Sequence, residues 1–140
     1  MKALTLHQPW ASLIVTGAKT WETRSWGTSY RGDLVIHAGA RHVQRELLNH
    51  LARWTIQGVL APSWAMTSWP LVFGAGLCVV TLTDCRQTDS LTQAEIGHDR
   101  PFGDFSPGRY AWKLENVRPF DKPVPAKGHL GLWEWVGEVT

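Results

Sequence analysis

The hydrophobic pattern changes period several times along the chain. "MKALTL" alternates apolar with polar positions and predicts a short strand. "PWASLIVTG" puts Pro9 at a natural first helical position, gathers its apolar residues on one side and stops at Gly17. It predicts a helix of about two turns, ~13 Å long. "KTWETRSW" returns to period two; as a strand it places Lys19, Trp21 and Thr23 on one face and Glu22 and Arg24 on the other. "RGDLVIHA" reads as a turn at Arg31–Gly32 followed by an apolar strand. "ARHVQRELLNHLARW" carries Val43, Leu47, Leu48 and Leu51 at helical spacing. "VFGAGLCVVTLTDC" predicts a buried strand opened by glycines, and "DSLTQAEIG" a short helix capped by Ser90 or Asp89. "RYAWKLENVRPF" alternates Tyr110, Trp112 and Leu114 against Ala111, Lys113 and Glu115, and "PVPAKGHLGLWEWV" is a turn with a final strand. Five to six strands with two to three helices predict a small α+β barrel, one domain over residues 1–140 with no internal repeat or linker.

An uncharged run of 30 residues separates Arg53 from Asp84. A membrane helix needs about 20 consecutive apolar residues. Gly58, Pro62, Pro70, Gly74 and Gly76 interrupt this run and Gln57, Ser63, Thr67 and Ser68 dilute it, so it reads as helix end, apolar loop and buried strand, with no membrane partner.

Composition narrows the class. A chain of 140 residues with 44% hydrophobic and 19% charged residues builds one folded core, not a disordered tail. The net charge of +2 divides unevenly: residues 1–53 sum to +4 and the remainder to −2, which permits a positive face for an anionic partner. Cys78 and Cys85 on one strand would lie about 23 Å apart, beyond disulfide reach. Reduced thiols and the lack of an apolar N-terminal leader point to the cytoplasm. The six histidines are scattered and no Cys/His set has zinc spacing, so neither metal nor cofactor is expected. Nine tryptophans exceed what a small core needs, leaving some rings for stacking on a base. The apolar loop around Trp64, Met66 and Trp69 is a dimer surface, a lid or local packing; oligomeric state stays open, a monomer included.

Charge and ring alternate most densely in "GAKTWETRSW". Alone, Lys19, Glu22 and Arg24 fit a salt-bridged strand surface worth at most about 1 kcal/mol per pair. Their flanks say more. Gly17, Lys19, Glu22 and Arg24 form Gly-x-Lys-x-x-Glu-x-Arg, preceded by His7-Gln8-Pro9-Trp10-Ala11-Ser12 and followed by Ser25-Trp26 and Tyr30-Arg31-Gly32. This pattern resembles the activating signal cointegrator homology (ASCH) domain, densely over residues 6–38 and again, weakly, at "RYAWKL" and "VPAKGHLGLW".

The resemblance implies a PUA-like β-barrel and binding of RNA or DNA in a cleft lined by the motif. Some small bacterial members are amidohydrolases that deacylate N4-acetylcytidine with a Lys, a Thr nucleophile and a Glu. Their Lys falls on Lys19 and their Thr on Glu22, so the nucleophile is not carried over; their distant Glu falls near Glu95. A nuclease activity is also associated with the family.

The residues suggest matching chemistry. Lys19 offers a point charge to phosphate and Arg24 a bidentate grip. Glu22 pairs with either or accepts from a cytosine-type amino group. Trp10, Trp26, Tyr30, Tyr110 and Trp112 offer stacking rings, with Trp10 evenly balanced between core and platform. His7, Gln8, Arg31 and Lys127 complete the candidate nucleic-acid surface. If the cleft hydrolysed a modified nucleoside, Lys19 and Glu22 would be the catalytic pair, Glu22 activating water beside the Lys19 ammonium. Trp21, Leu114 and Trp133 are assigned to the core. His37, His42, His50 and His98 are read as structural.

Overall fold

The computed structural model describes residues 1–41 and 71–139. The expected helix over 40–54 and the loop holding Trp64, Met66 and Trp69 lie almost wholly outside them. Among the described residues six strands form one sheet: β1 (Lys2–Leu6), β2 (Trp21–Arg24), β3 (Gly32–Ala38), β4 (Ala75–Gln87), β5 (Tyr110–Pro125) and β6 (Leu132–Glu134), in the spatial order β2-β5-β4-β3-β1-β6. Only β1 and β3 are parallel; every other neighbour is antiparallel. β4 and β5 run for 13 and 16 residues, and their ladder is broken by three register shifts. Such bulges bend and twist a long strand pair, and here the sheet curls into a half-barrel.

Alternation along the strands separates two apolar layers. Leu4, Leu34, Ile36, Val80, Trp112 and Leu114 turn inward and meet Ala11, Ile14 and Val15 of helix α1 (Trp10–Val15). Ala3, Val35, Val79, Phe120, Trp133 and Trp135 turn outward and form a second cluster on the opposite face. The helix stops as expected: Gly17 takes φ 82°, a left-handed conformation natural for glycine, and its N–H bonds Ile14 O at 3.0 Å.

A second helix, α2 (Gln93–Ile96), and a 3₁₀ turn over Gly97–Phe102 cross the free side of β2. The cap of α2 is Thr92, not Ser90 or Asp89. Its hydroxyl accepts the Glu95 N–H at 3.1 Å while the Glu95 carboxylate accepts the Thr92 N–H at 3.0 Å, a reciprocal box available only with Glu three residues after the cap. Cys78 and Cys85 are free thiols on β4, and burial pushes the Cys78 thiol up to about 12. No helix among the described residues is long and apolar enough to cross a membrane.

His37 is fully buried at the joint between β3, β1 and the segment after β5. Its Nε2 donates to Ala126 O at 2.7 Å, so in the neutral ring Nδ1 accepts from Thr5 Oγ1 at 3.2 Å. Thr5 Oγ1 itself accepts from Trp133 Nε1 at 3.0 Å. Burial holds the imidazole below its ordinary pKa, with His129 adding a smaller push downward, while the Ala126 bond opposes. The folded chain therefore binds fewer protons here than the unfolded one, and His37 stabilises the fold above about pH 6.5 and progressively less as pH falls below it. Thermal melts should show this loss as pH falls below about 6.5, before the carboxylates protonate. In His37→Gln the slope in that window should flatten; an unchanged slope would assign it to other groups.

Candidate functional site

The motif residues converge where the curled sheet nearly closes. Lys19 precedes β2, directly after the helix stop, and is 2% exposed. Its Nζ donates to Trp21 O at 2.7 Å and Phe102 O at 2.6 Å and pairs with Glu22 Oε1 at 3.4 Å. Three ammonium donors thus meet three acceptors. Burial pushes the Lys19 ammonium below its usual pKa, with Glu22 and Asp99 pulling the other way. Glu22 sits between both cations: its second oxygen accepts from Arg24 Nε at 3.0 Å. Arg24 reaches across the gap in the half-barrel, donating from Nη2 to Thr5 O on β1 at 2.7 Å.

This geometry corrects the expectation that alternation separates Lys19 from Glu22. Trp21, Glu22, Thr23 and Arg24 do alternate, but Lys19 lies before the strand and folds back over its free edge. Glu22 stands opposite Trp112 in the ladder and so shares its inward direction.

Asp99, which sequence reasoning passed over, organises the same edge. It is 1% exposed; Oδ2 accepts the N–H of Thr20 at 2.7 Å and of Trp21 at 2.8 Å, and Oδ1 accepts from Thr20 Oγ1 at 2.9 Å. Trp21 therefore gives its N–H to Asp99 and its carbonyl to Lys19 rather than to a further strand. Side chains cover this short edge strand, as native sheets require.

Beside this network lies a cleft of about 370 Å³, lined by Trp10, Glu22, Thr23 and the segment Pro101–Asp104. It wraps round the free edge of β2 and so takes lining from both faces, which is why Thr23 joins Glu22 despite opposite parity. Thr23 Oγ1 accepts the Asp104 N–H at 3.0 Å. Trp10 is half-buried; the Lys19 ammonium lies 5.8 Å from its ring centroid, and the ring packs beside Leu13 and Phe102.

The other expected contact residues separate into groups. Trp112 is fully buried, its indole donating to Trp26 O at 3.2 Å, so it fills the core instead of offering a rim ring. Gln8 is equally buried: its side chain accepts the Ser12 N–H at 3.0 Å and donates to Ser12 Oγ and Val72 O, each at 2.8 Å, fastening the start of α1. Trp26 meets Trp112 edge-on with centroids 4.8 Å apart. Tyr110 stands opposite Arg24 and packs on Gly27, where an added Cβ would fall 2.7 Å from its ring. Tyr30 donates to Asp33 O at 2.6 Å, and Arg31 to Thr28 O and Tyr30 O. None of these lines the cleft. His7 and Lys127 are exposed, the latter beside Gly128, which packs on Thr5 and His37. The Glu95 carboxylate is engaged by the α2 cap and by Arg86, away from the cleft lining. Trp21, Leu114 and Trp133 are core residues, as expected. Among the described residues no group of three or more His, Cys, Asp or Glu is placed to hold a metal.

Comparison with known proteins agrees with the motif. The ASCH domain model matches residues 4–124. Activating signal cointegrator 1 of Homo sapiens is 58% identical over 134 residues, covering 94% of this chain and 22% of that protein. The protein of the same name from Mus musculus is 32% identical over 136 residues with the same coverage. The chain thus spans about a fifth of the length of these curated relatives. The crystal structure of ASCH from Zymomonas mobilis shares the fold, with a TM-score of 0.52 at 15% identity over 89% of this chain and 72% of that one. A curled six-stranded sheet with two short helices among the described residues, the Gly17–Arg24 motif at its seam, and a family match over most of the length lead to one assignment: the chain belongs to the ASCH domain family.

Proposed function

We propose that the chain is a nucleic-acid-binding module whose cleft receives one unpaired nucleotide, base inside and phosphate at the rim. The observation that carries this reading is the cleft lining: an aromatic ring, Trp10, faces a space shared with a carboxylate, Glu22, whose two cations are already engaged with it. At about 370 Å³ it lies at the small end of ligand pockets, the scale of one nucleotide rather than a duplex. The remaining lone pairs of Glu22 accept from ring or amino N–H groups, and Trp10 supplies a stacking face that tolerates any base. Lys19 has no donor left for phosphate. Arg24, half-buried with Nη1 unused among the described residues, takes that role at the rim. The excess positive charge of residues 1–53 favours the same class of ligand. Hydrolysis has less support: the Lys19 ammonium already meets three acceptors, and the Glu22 carboxylate is held between two cations.

Fluorescence anisotropy with labelled single-stranded RNA, single-stranded DNA and duplex DNA, at low and moderate salt, tests this. Single strands should bind better than duplex. Trp10→Leu keeps an apolar side chain but removes the π-face, and should weaken single-strand binding by roughly 5- to 150-fold, the equivalent of ~1–3 kcal/mol of stacking. The salt dependence should be unchanged because no charge is lost. Equal affinity for Trp10→Leu and wild type, or no binding at low salt, would overturn the reading.

A further inference from the structure

The cleft wall opposite β2 continues into "GDFSPGR", residues 103–109, in which Ser106, Pro107 and Gly108 are exposed. Pro107 and Gly108, with φ 85°, make the turn. Buried Thr88 holds both of its ends, donating from its hydroxyl to Ser106 O at 2.8 Å and from its N–H to Arg109 O at 2.9 Å. The turn is a fixed projection, and Ser106 stands at its base. Ser106 Oγ donates to Asp104 Oδ1 at 2.6 Å, and its N–H reaches the same oxygen at 3.1 Å. Asp104 links this turn to the cleft. It lines the space, donates its N–H to Thr23 and holds Arg109, whose Nε lies 3.2 Å from Asp104 O and 3.5 Å from Asp104 Oδ2.

We infer that Ser106 is a phosphorylation site for a proline-directed, ATP-dependent protein kinase, and that the phosphate switches the neighbouring cleft off; the second half rests on the cleft holding a nucleotide. Ser-Pro-Gly-Arg presents what such kinases read: an exposed hydroxyl, a proline directly after it and a cation two residues further on. In the reaction Ser106 Oγ attacks the γ-phosphorus of ATP. The new O–P bond forms as the bond to the β,γ-bridging oxygen breaks, ADP leaves, and the hydroxyl proton passes to the base of the kinase. The product cannot donate from Oγ to Asp104. It also sets about −1.5 to −2 charges against a carboxylate, one that the Ser106 hydrogen bonds already hold below its ordinary pKa. Arg109 is drawn from Asp104 to the phosphate. Asp104 then loses two of its ties, the Thr23 contact that shapes the wall loosens, and a dianion at the rim repels the backbone of an incoming strand.

The test treats wild type and Ser106→Ala with a proline-directed kinase and Mg-ATP, reads intact mass and the modified peptide, and repeats the RNA titration. One phosphate on Ser106 of wild type and none on Ser106→Ala is expected. The phosphorylated protein should bind single-stranded RNA at least about tenfold more weakly at low salt, where unscreened charge acts furthest, while treated Ser106→Ala is unaffected. No phosphate on Ser106, or phosphate with unchanged affinity, overturns the inference. If the untreated protein fails to bind RNA, the reading of the cleft fails instead, and the mass still decides whether Ser106 is modified.

Discussion

Lys19→Ala should lower stability by about 3–5 kcal/mol, the range for removing one partner of a buried ion pair. At this chain length the melting temperature should fall by roughly ten degrees or more. The loss has identifiable parts. Phe102 O and Trp21 O each lose a close donor, Glu22 keeps only Arg24, and a cavity opens under Trp10. Lys19→Met fills most of that volume while leaving the carbonyls bare, so it should fall between Ala and wild type. Circular dichroism melts at neutral pH check both. A surface lysine reserved for phosphate would give the opposite result, a change within about 0.5 kcal/mol. Any loss of RNA binding in Lys19→Ala must therefore be read beside its melt.

Asp99→Ala should be similarly damaging, about 3–5 kcal/mol. It strands two backbone N–H groups and the Thr20 hydroxyl at a buried position, each at about 1–3 kcal/mol when water does not replace the partner. The consequence reaches the cleft. Without Asp99 the 3₁₀ turn Gly97–Phe102 loses its anchor on β2, and with it the placement of Phe102 O over Lys19 and of the Pro101–Asp104 wall. Asp99→Ala should thus weaken single-strand binding even at temperatures where it remains folded. His98→Ala is the control: its side chain is 71% exposed and its contact to Asp99 is long, at 3.5 Å, so its melt should stay within about 0.5 kcal/mol of wild type.

Particular residues show how far the sequence could be read. The paired inner and outer layers follow from period-two alternation in "ALTL" and "DLVIHA", and the helix stop from Gly17, because local sterics decide both. The charged triad was legible as a group, since its members lie within six residues. Alternation also puts Glu22 and Arg24 on one face, where they pair; it misplaces Lys19, which leaves the strand before alternation applies and still reaches Glu22. Trp112 could have been assigned to the core from its own strand: parity ties its direction to that of Leu114, already a core residue, so a rim role for one and a core role for the other conflict. Asp99 gave no local signal. A carboxylate in "GHDRPF" looks like loop chemistry until a turn from far along the chain carries it to the amides of Thr20 and Trp21. Gln8 likewise reads as a free polar side chain until Val72 arrives beside it.

These contacts change what the Gly-x-Lys-x-x-Glu-x-Arg motif does in this chain. Lys19 ties β2 to the 3₁₀ turn, Arg24 ties β2 to β1 across the seam, and Glu22 balances both. The motif builds the wall that Trp10 and Glu22 present; under the proposed reading the ring and the Glu22 oxygens meet the base, and Arg24 meets the phosphate.

The central claim, that a base enters beside Trp10 and Glu22, is tested most directly by two-dimensional ¹H–¹⁵N NMR during titration with a short single-stranded RNA. The Trp10 indole N–H and the amides of Thr23, Gly103 and Asp104 should shift progressively by ring current and new hydrogen bonding. The indoles of Trp21, Trp112 and Trp133, each donating to an acceptor within the protein, should stay still. Saturable shifts that spare Trp10 and the 103–104 amides would contradict the account and place the ligand elsewhere on the molecule.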